Sequence, residues 1–266
     1  MNRYPAHLVV DAGGWAERIN PDRPELRSRF LLQGLHELGL EIANLSAREL
    51  KLGPTALRAL ADSSQVRFVS ANIEIPGAAG WLKPYIILNR SVGGRAVRIG
   101  VVGVSLSVPD VGNLWPDSLA PKINDPIAAA ERVIETLTPQ TDLQILLAYL
   151  PAAELDKELA ELSGYDLLVA GAGDLRETPT VGKLPVVLSP GTRGKFAGWV
   201  ALRLTEGTSY AVADGGVVQL DTKVPDDPAM AKLVQQFKDR LGPPRGTPAS
   251  RNQAPPGTSL SDHPVP

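Results

Sequence analysis

Cysteine is absent from all 266 residues. That excludes disulfides, thiolate metal sites, iron–sulfur ligation and cysteine nucleophiles, and it fits either redox compartment. Histidine is almost as scarce, with only His7, His36 and His263. No H-x-H, H-E-x-x-H or D-x-D-x-D spacing occurs, so the common metal motifs are missing. A surplus of one charge is lacking too. Lysine and arginine number 27 against 29 acidic residues, leaving a formal net charge of −2 and a pI near 6.0. No global field therefore favours nucleic acid or an anionic membrane. No apolar run reaches the roughly eighteen residues that suggest a membrane span. The opening residues MNRYPAH are too few and too polar for a signal peptide. Two readings of that start stay open: a cytoplasmic protein, or a chain lacking its natural beginning.

What is present suffices for a sizeable core, since 43% of residues are hydrophobic. Tyr165–Asp174, YDLLVAGAGD, has an apolar run ending in glycine, the pattern of a buried parallel strand whose tip lies at the chemical edge of an open α/β sheet. His7–Val10 is a similar strand running into Gly13-Gly14. Helices are expected over Pro24–Gly39, Pro54–Ala61, Pro126–Leu137, Pro151–Leu162 and Ala229–Leu241. Proline in the first turn, Asp125 and Asp227 as caps, and apolar residues at helical spacing mark them. Leu26, Phe30, Leu31, Leu35 and Leu38 supply that spacing in the first. Further strands are expected at Glu41–Leu45, Val66–Asn72 and Gln144–Leu150. Pro84–Asn89 and Arg95–Ser105 form a hairpin around Gly93-Gly94. Pro185–Ser189, Phe196–Leu204 and Tyr210–Leu220 read as antiparallel strands. Val108–Asn124 reads as a surface loop carrying Trp115.

This order predicts one α/β domain over residues 1–241, with layered mixed sheets flanked by helices. Residues 242–266 are rich in proline, glycine and serine and too poor in apolar residues to offset the entropy of ordering, so a disordered linker or tail is expected.

Few segments carry chemistry by themselves. Ser105 ends a strand, but no G-x-S-x-G elbow forms and no histidine partners it. Gly100-x-x-Gly103 lacks the third glycine of a dinucleotide loop. The turn Ser189–Lys195 offers an anion site through Thr192, Arg193 and Lys195, although the phosphate-loop pattern G-K-[ST] is not met.

Six segments in order resemble the calcineurin-like metallophosphoesterases, specifically the N-terminal domain of the 5′-nucleotidase family. Val9–Gly14, VVDAGG, resembles that family's D-A-G-D strand end. Ala43–Gly53 resembles its G-N-H-E-F segment, with Glu49 and Gly53 kept. Val69–Ile73 resembles L-S-A-N-V, and Lys83–Ser105 resembles its K-P-Y strand, glycine turn and I-G-V-I-G strand. Ile145–Pro151 stands where the family has S-H-x-G, and Asp166–Asp174 where it has G-H-x-H. The resemblance implies a two-metal phosphoesterase, in which paired divalent ions clamp the ester and activate water. It also implies that the ligands are replaced. The bridging aspartate falls on Gly14, an asparagine and a histidine on Ala47 and Arg48, another histidine on Tyr149, and the last two on Ala172 and Asp174.

Three functions follow as expectations. The first is a degenerate domain with a binding or scaffolding role, needing no cofactor. Its implied covalent partner is a downstream domain such as a multihaem cytochrome, and its implied location is outside the cytoplasm. The second is a working phosphoester hydrolase, holding two Mn, Zn or Mg ions through Asp11, Glu49, Asp174, Asn72 and Asn44. The third is a binder of a phosphate-bearing small molecule in the old pocket. Arg48 is expected to fill that pocket through an ion pair with Glu49 or Asp174.

Overall fold

The computed structural model describes residues 6–16, 23–106, 114–151, 162–172, 185–189, 191, 194–205 and 210–242. Its first sheet is parallel, in the order β1 (Val9–Asp11), β2 (Leu40–Asn44), β3 (Arg67–Val69), β5 (Leu82–Lys83). The second sheet is mixed. Its order is β11 (Val186–Leu188), β10 (Leu167–Ala172), β9 (Leu143–Pro151), β7 (Arg95–Ser105), β6 (Tyr85–Val92). β6 and β7 form the expected antiparallel hairpin, register Val92↔Arg95. Gly93 and Gly94 turn it at φ 58° and 81°, the paired positive φ of a tight hairpin turn. β12 (Phe196–Leu204) and β13 (Tyr210–Gln219) form a separate antiparallel ribbon. A short bridge joins β4 (Ile73–Glu74) to β8 (Lys122–Ile123).

Period-two alternation in the long strands explains the layers. In β7, Val97, Ile99 and Val101 face a core shared with Ala12, Ile42 and Val69 of the first sheet. Val102 and Val104 point the other way, onto Ala129, Ala130, Val133, Ile134 and Leu137 of α3 (Pro126–Leu137). β9 repeats this with Ile145 and Leu147 inward and Leu146, Ala148 and Leu150 under the helix. Burial on both faces is why these strands read as continuous apolar runs. On the outer face of the first sheet, α1 (Pro24–Glu37) and α2 (Gly53–Ser63) cover a third core with Leu40, Leu57, Leu60 and Phe68. The architecture is thus two sheets face to face with helices on both outer sides, the mixed α/β fold expected. α4 (Pro228–Leu241) packs on α1, with Phe30 and Phe237 rings 5.4 Å apart.

The expected caps are present. Asp125 Oδ1 accepts from the Ala128 N–H, and Asp227 Oδ1 from those of Ala229 and Met230.

Several local expectations are corrected. β11 pairs parallel with β10, not antiparallel as its neighbours in sequence suggested. Leu31 and Leu38, counted with the apolar stripe of α1, are exposed at 43% and 52%, whereas Phe30 of that stripe is buried, as is Leu32, which was not counted with it. Trp115 is no surface residue. It is 6% exposed, and its Nε1–H donates to the Leu50 carbonyl at 2.9 Å. Pro151 ends β9 instead of opening a helix, and the remainder of that helix, residues 152–161, lies outside the described residues.

Candidate functional site

The ends of β1, β2, β7, β9 and β10 converge on one edge of the sandwich. This edge brings together Asp11, Gly14, Ala47, Arg48, Glu49, Tyr149 and Ala172. Asp174, Thr192 and Arg193 lie outside the described residues. Lys195 is exposed, and its carbonyl accepts from the Leu220 N–H at 2.7 Å. His7 precedes β1 and His36 lies near the end of α1, both remote from this edge.

Glu49 organises the edge. It is fully buried. Its Oε1 accepts from the Ala16 N–H at 2.8 Å. Its Oε2 accepts from the Ser46 N–H at 2.9 Å and the Gly14 N–H at 3.3 Å, and from the Ser46 hydroxyl. Burial pushes this carboxyl above its ordinary value, against the opposing pull of those donors. The Ser46 hydroxyl in turn accepts from the Arg48 N–H at 3.2 Å. The Glu49 side chain thus reaches back to the Ser46 N–H as in a capping box, with Ser46-x-x-Glu49 in the sequence, while the Ser46 hydroxyl serves the Arg48 N–H. That signal was available from sequence alone and went unused, so Ser46 was missed. Arg48 forms no ion pair with Glu49, whose oxygens are committed to N–H groups. Its guanidinium donates instead to the Tyr149 Oη at 2.9 Å and the Ala16 carbonyl at 3.4 Å.

Tyr149 fills the middle of the edge. Its ring lies against Gly14, so that a Cβ there would sit 2.8 Å from the ring Cζ. A Cβ on Gly171 would meet the same ring at 3.0 Å. Gly14 also has φ +81°, where side chains are strained. The space between the strand ends is thus occupied by a phenol tied to a guanidinium.

Asn72 and the NH₂ group of Asn44 are engaged by the framework, while the Asn44 Oδ1 is buried without a partner. The Asn44 amide donates to the Ala12 and Val104 carbonyls at 3.0 and 2.8 Å. The Asn72 amide donates to the Ser105 and Asn124 carbonyls at 2.7 and 3.0 Å, and its Oδ1 accepts from the Ser105 N–H at 3.0 Å. The Ser105 hydroxyl accepts from the Ala47 N–H at 2.9 Å and donates to the Leu106 carbonyl at 3.0 Å. These partners make it a structural hydroxyl. Among the described residues, no three His, Asp or Glu side chains cluster as a metal would require. Among the described residues, the donors at this edge do not fit a pair of divalent ions.

Asp11 is the titratable exception. Its Oδ1 accepts from the Gly13 N–H at 2.8 Å. Burial nevertheless raises its carboxyl from 3.8 to about 6, the Gly13 bond pulling the other way. A raised folded value means the folded state holds the proton more tightly, so this contribution is present at low pH and lost as pH rises from 3.8 through 6. The full interval corresponds to about 3 kcal/mol. Partial solvent access reduces that to about 1–2 kcal/mol. Asp11→Asn keeps the acceptor and removes the titration. It should therefore be more stable than the parent at pH 7 by that amount and equal to it near pH 3.5. Urea midpoints across pH 3.5–7.5 check this, and parallel profiles for the two proteins would refute it.

Parallel and mixed sheets face to face between helices form a fold that this chain shares with solved 5′-nucleotidases and calcineurin-like phosphoesterases. Over 88% of its length the chain superposes on a 5′-nucleotidase precursor from Thermus thermophilus, with TM-score 0.68 and 22% identity, covering 49% of that protein. It is similarly alike to the NAD nucleotidase of Haemophilus influenzae, with TM-score 0.72 and 17% identity over 90% of this chain and 52% of that one. The calcineurin-like phosphoesterase YfkN of Bacillus subtilis gives TM-score 0.69 and 17% identity, over 90% of this chain and 85% of that one. The chain spans about half the length of the two nucleotidases. At these identities the likeness is one of fold. No protein-family model matches the chain, and no curated protein matches it by sequence.

Proposed function

We propose that this chain carries a degenerate metallophosphoesterase domain, a pseudoenzyme that serves as a non-catalytic binding or scaffolding module of a longer protein. The observation that carries the reading is the Tyr149 ring packed on Gly14 and Gly171 and held by Arg48. By resemblance, Gly14, Ala47, Arg48, Tyr149 and Ala172 are positions where the fold's enzymes place metal ligands. Here a phenol fills the space, and the neighbouring carboxylate of Glu49 is turned onto backbone N–H groups. Loss at one position could follow from a shifted alignment, whereas concerted replacement at five positions on four strand ends argues for a fold retained without its two-metal chemistry. Residues 1–241 form the module on this reading and residues 242–266 tether it to a neighbour. The resemblance suggests an exported protein with a multihaem cytochrome as that neighbour.

The deciding measurement is metal content of the purified protein, followed by assay with Mn²⁺, Zn²⁺ or Mg²⁺ on p-nitrophenyl phosphate, bis-p-nitrophenyl phosphate and nucleotides. Neither stoichiometric metal nor turnover is expected. Turnover abolished both by EDTA and by Asp174→Ala would overturn the proposal in favour of a hydrolase with a non-standard site. A thermal-shift screen with nucleotides and sugar phosphates tests whether the binding role includes a small phosphorylated ligand. Such a ligand at a hundred times its dissociation constant adds about 2.7 kcal/mol of stability.

A further inference from the structure

We infer that the groove between Trp81 and Trp115 is a docking site for the chain's own proline pair, Pro255-Pro256. The groove has a volume of about 160 Å³ and is walled by Pro54, Ile75, Pro76, Trp81, Trp115 and Leu119. Trp115 shows only its edge there, being 6% exposed, so half-buried Trp81 is the aromatic wall. An apolar groove with an aromatic wall suits a polyproline segment, because such segments are extended before binding and lose little entropy. The rim cation Arg58 is already paired with Asp62 at 2.8 Å, so the groove asks for an uncharged occupant. Ala254-Pro255-Pro256-Gly257 is uncharged.

Size favours a tethered occupant. Small-molecule pockets run about 300–1,000 Å³, so this groove holds a free ligand only weakly. A flexible tether supplies an effective concentration of order millimolar, enough to fill a weak site. The geometry of the exit supports reach. α1 and α2 both run antiparallel to the parallel strands that they connect, so their N-termini lie at the same edge of the first sheet. The described chain leaves at Gly242, beside the start of α1, where the Arg23 guanidinium donates to the Arg240 carbonyl at 2.7 Å. Pro54, at the start of α2, lines the groove. α4 packs on α1 and α1 on α2, so the exit lies about 20 Å away, two interhelical spacings. Pro243 and Pro244 follow the exit directly and cannot reach it at about 3.5 Å per residue. Residues 243–254 span up to roughly 40 Å at about 3.1 Å each and deliver Pro255-Pro256 comfortably.

The absence of cysteine makes the test clean. A nitroxide on Ser259→Cys of the full chain, read by paramagnetic broadening in ¹⁵N spectra, should at least halve the Gly77, Ala78 and Trp81 amide intensities. Residues on the far face, such as Glu131 and Glu135 of α3, should be unaffected. Pro255→Ser/Pro256→Ser in the labelled chain should restore those intensities, and this variant leaves the folded core untouched. Absence of selective broadening would overturn the inference. Broadening that survives the double proline substitution would do the same, since the tail would then be near without docking its prolines. A mixture of spin-labelled ¹⁴N protein with unlabelled ¹⁵N protein should show no effect, and broadening there would assign the groove to a second copy instead.

Discussion

Glu49→Ala should cost about 4 kcal/mol of folding stability, the largest loss expected from any substitution at the converged strand ends. The carboxylate accepts from the N–H groups of Gly14, Ala16 and Ser46 and from the Ser46 hydroxyl. Truncation leaves three backbone donors without their partner in a region closed to solvent. Each unsatisfied buried group costs about 1–3 kcal/mol, and partial rehydration of the Gly14 side brings the sum for three toward the low end of about 3–9 kcal/mol. Glu49→Gln should fall in between. It retains one acceptor oxygen but turns an NH₂ group onto N–H donors. Urea denaturation monitored by tryptophan fluorescence measures both. A loss below about 1 kcal/mol for Glu49→Ala would mean that the N–H groups do not depend on this side chain. The outcome also bears on function. If Glu49 were instead a metal ligand, its removal would abolish metal binding and activity while leaving metal-free stability nearly unchanged.

Gly14→Asp introduces the residue that the resemblance places at this position, yet it should destabilise the protein by about 3 kcal/mol and bind no metal. Two costs combine. A side chain at φ +81° carries a left-handed penalty of about 1–2 kcal/mol. Its Cβ would also lie 2.8 Å from the Tyr149 Cζ, and overpacking of that kind costs about 1–3 kcal/mol. The second cost depends on Tyr149 and the first does not. In Gly14→Asp/Tyr149→Ala the two losses should therefore add to less than their sum, with a coupling of about 1–2 kcal/mol. Simple additivity would show that the ring leaves its place readily, and Tyr149 would no longer be the residue that fills the site.

Legibility from sequence followed burial. β7, β9 and β10 are covered on both faces, so their apolar runs announced them, and the glycine pair at 93–94 fixed the β6–β7 hairpin. Three-residue β11 carries no such information. Its direction is set by pairing with β10, a tertiary fact. Trp115 was placed on the surface because its neighbours are polar and proline-rich, whereas the Leu50 carbonyl that holds its indole is distant in sequence. At the site, the identities standing where the resemblance places ligands could be read directly. The replacement interactions could not. A tyrosine near a strand end is equally compatible with solvent or with a plug, and Glu49 was a natural partner for Arg48 because charge pairing is the default for a guanidinium, the other expected partner, Asp174, lying outside the described residues. Its phenol and carbonyl partners become visible only once β9 is set beside the β2 turn.

The asparagines at the strand ends have a mechanical consequence. Asn44 and Asn72 reach from the first sheet to β7 of the second. The Ala71 N–H donates to the Gly103 carbonyl at 2.6 Å, a main-chain bond across the same seam. Neither sheet can peel away without breaking this row of buried bonds at once. The two sheets therefore open as one cooperative unit, with the seam among the last segments to exchange its amide hydrogens.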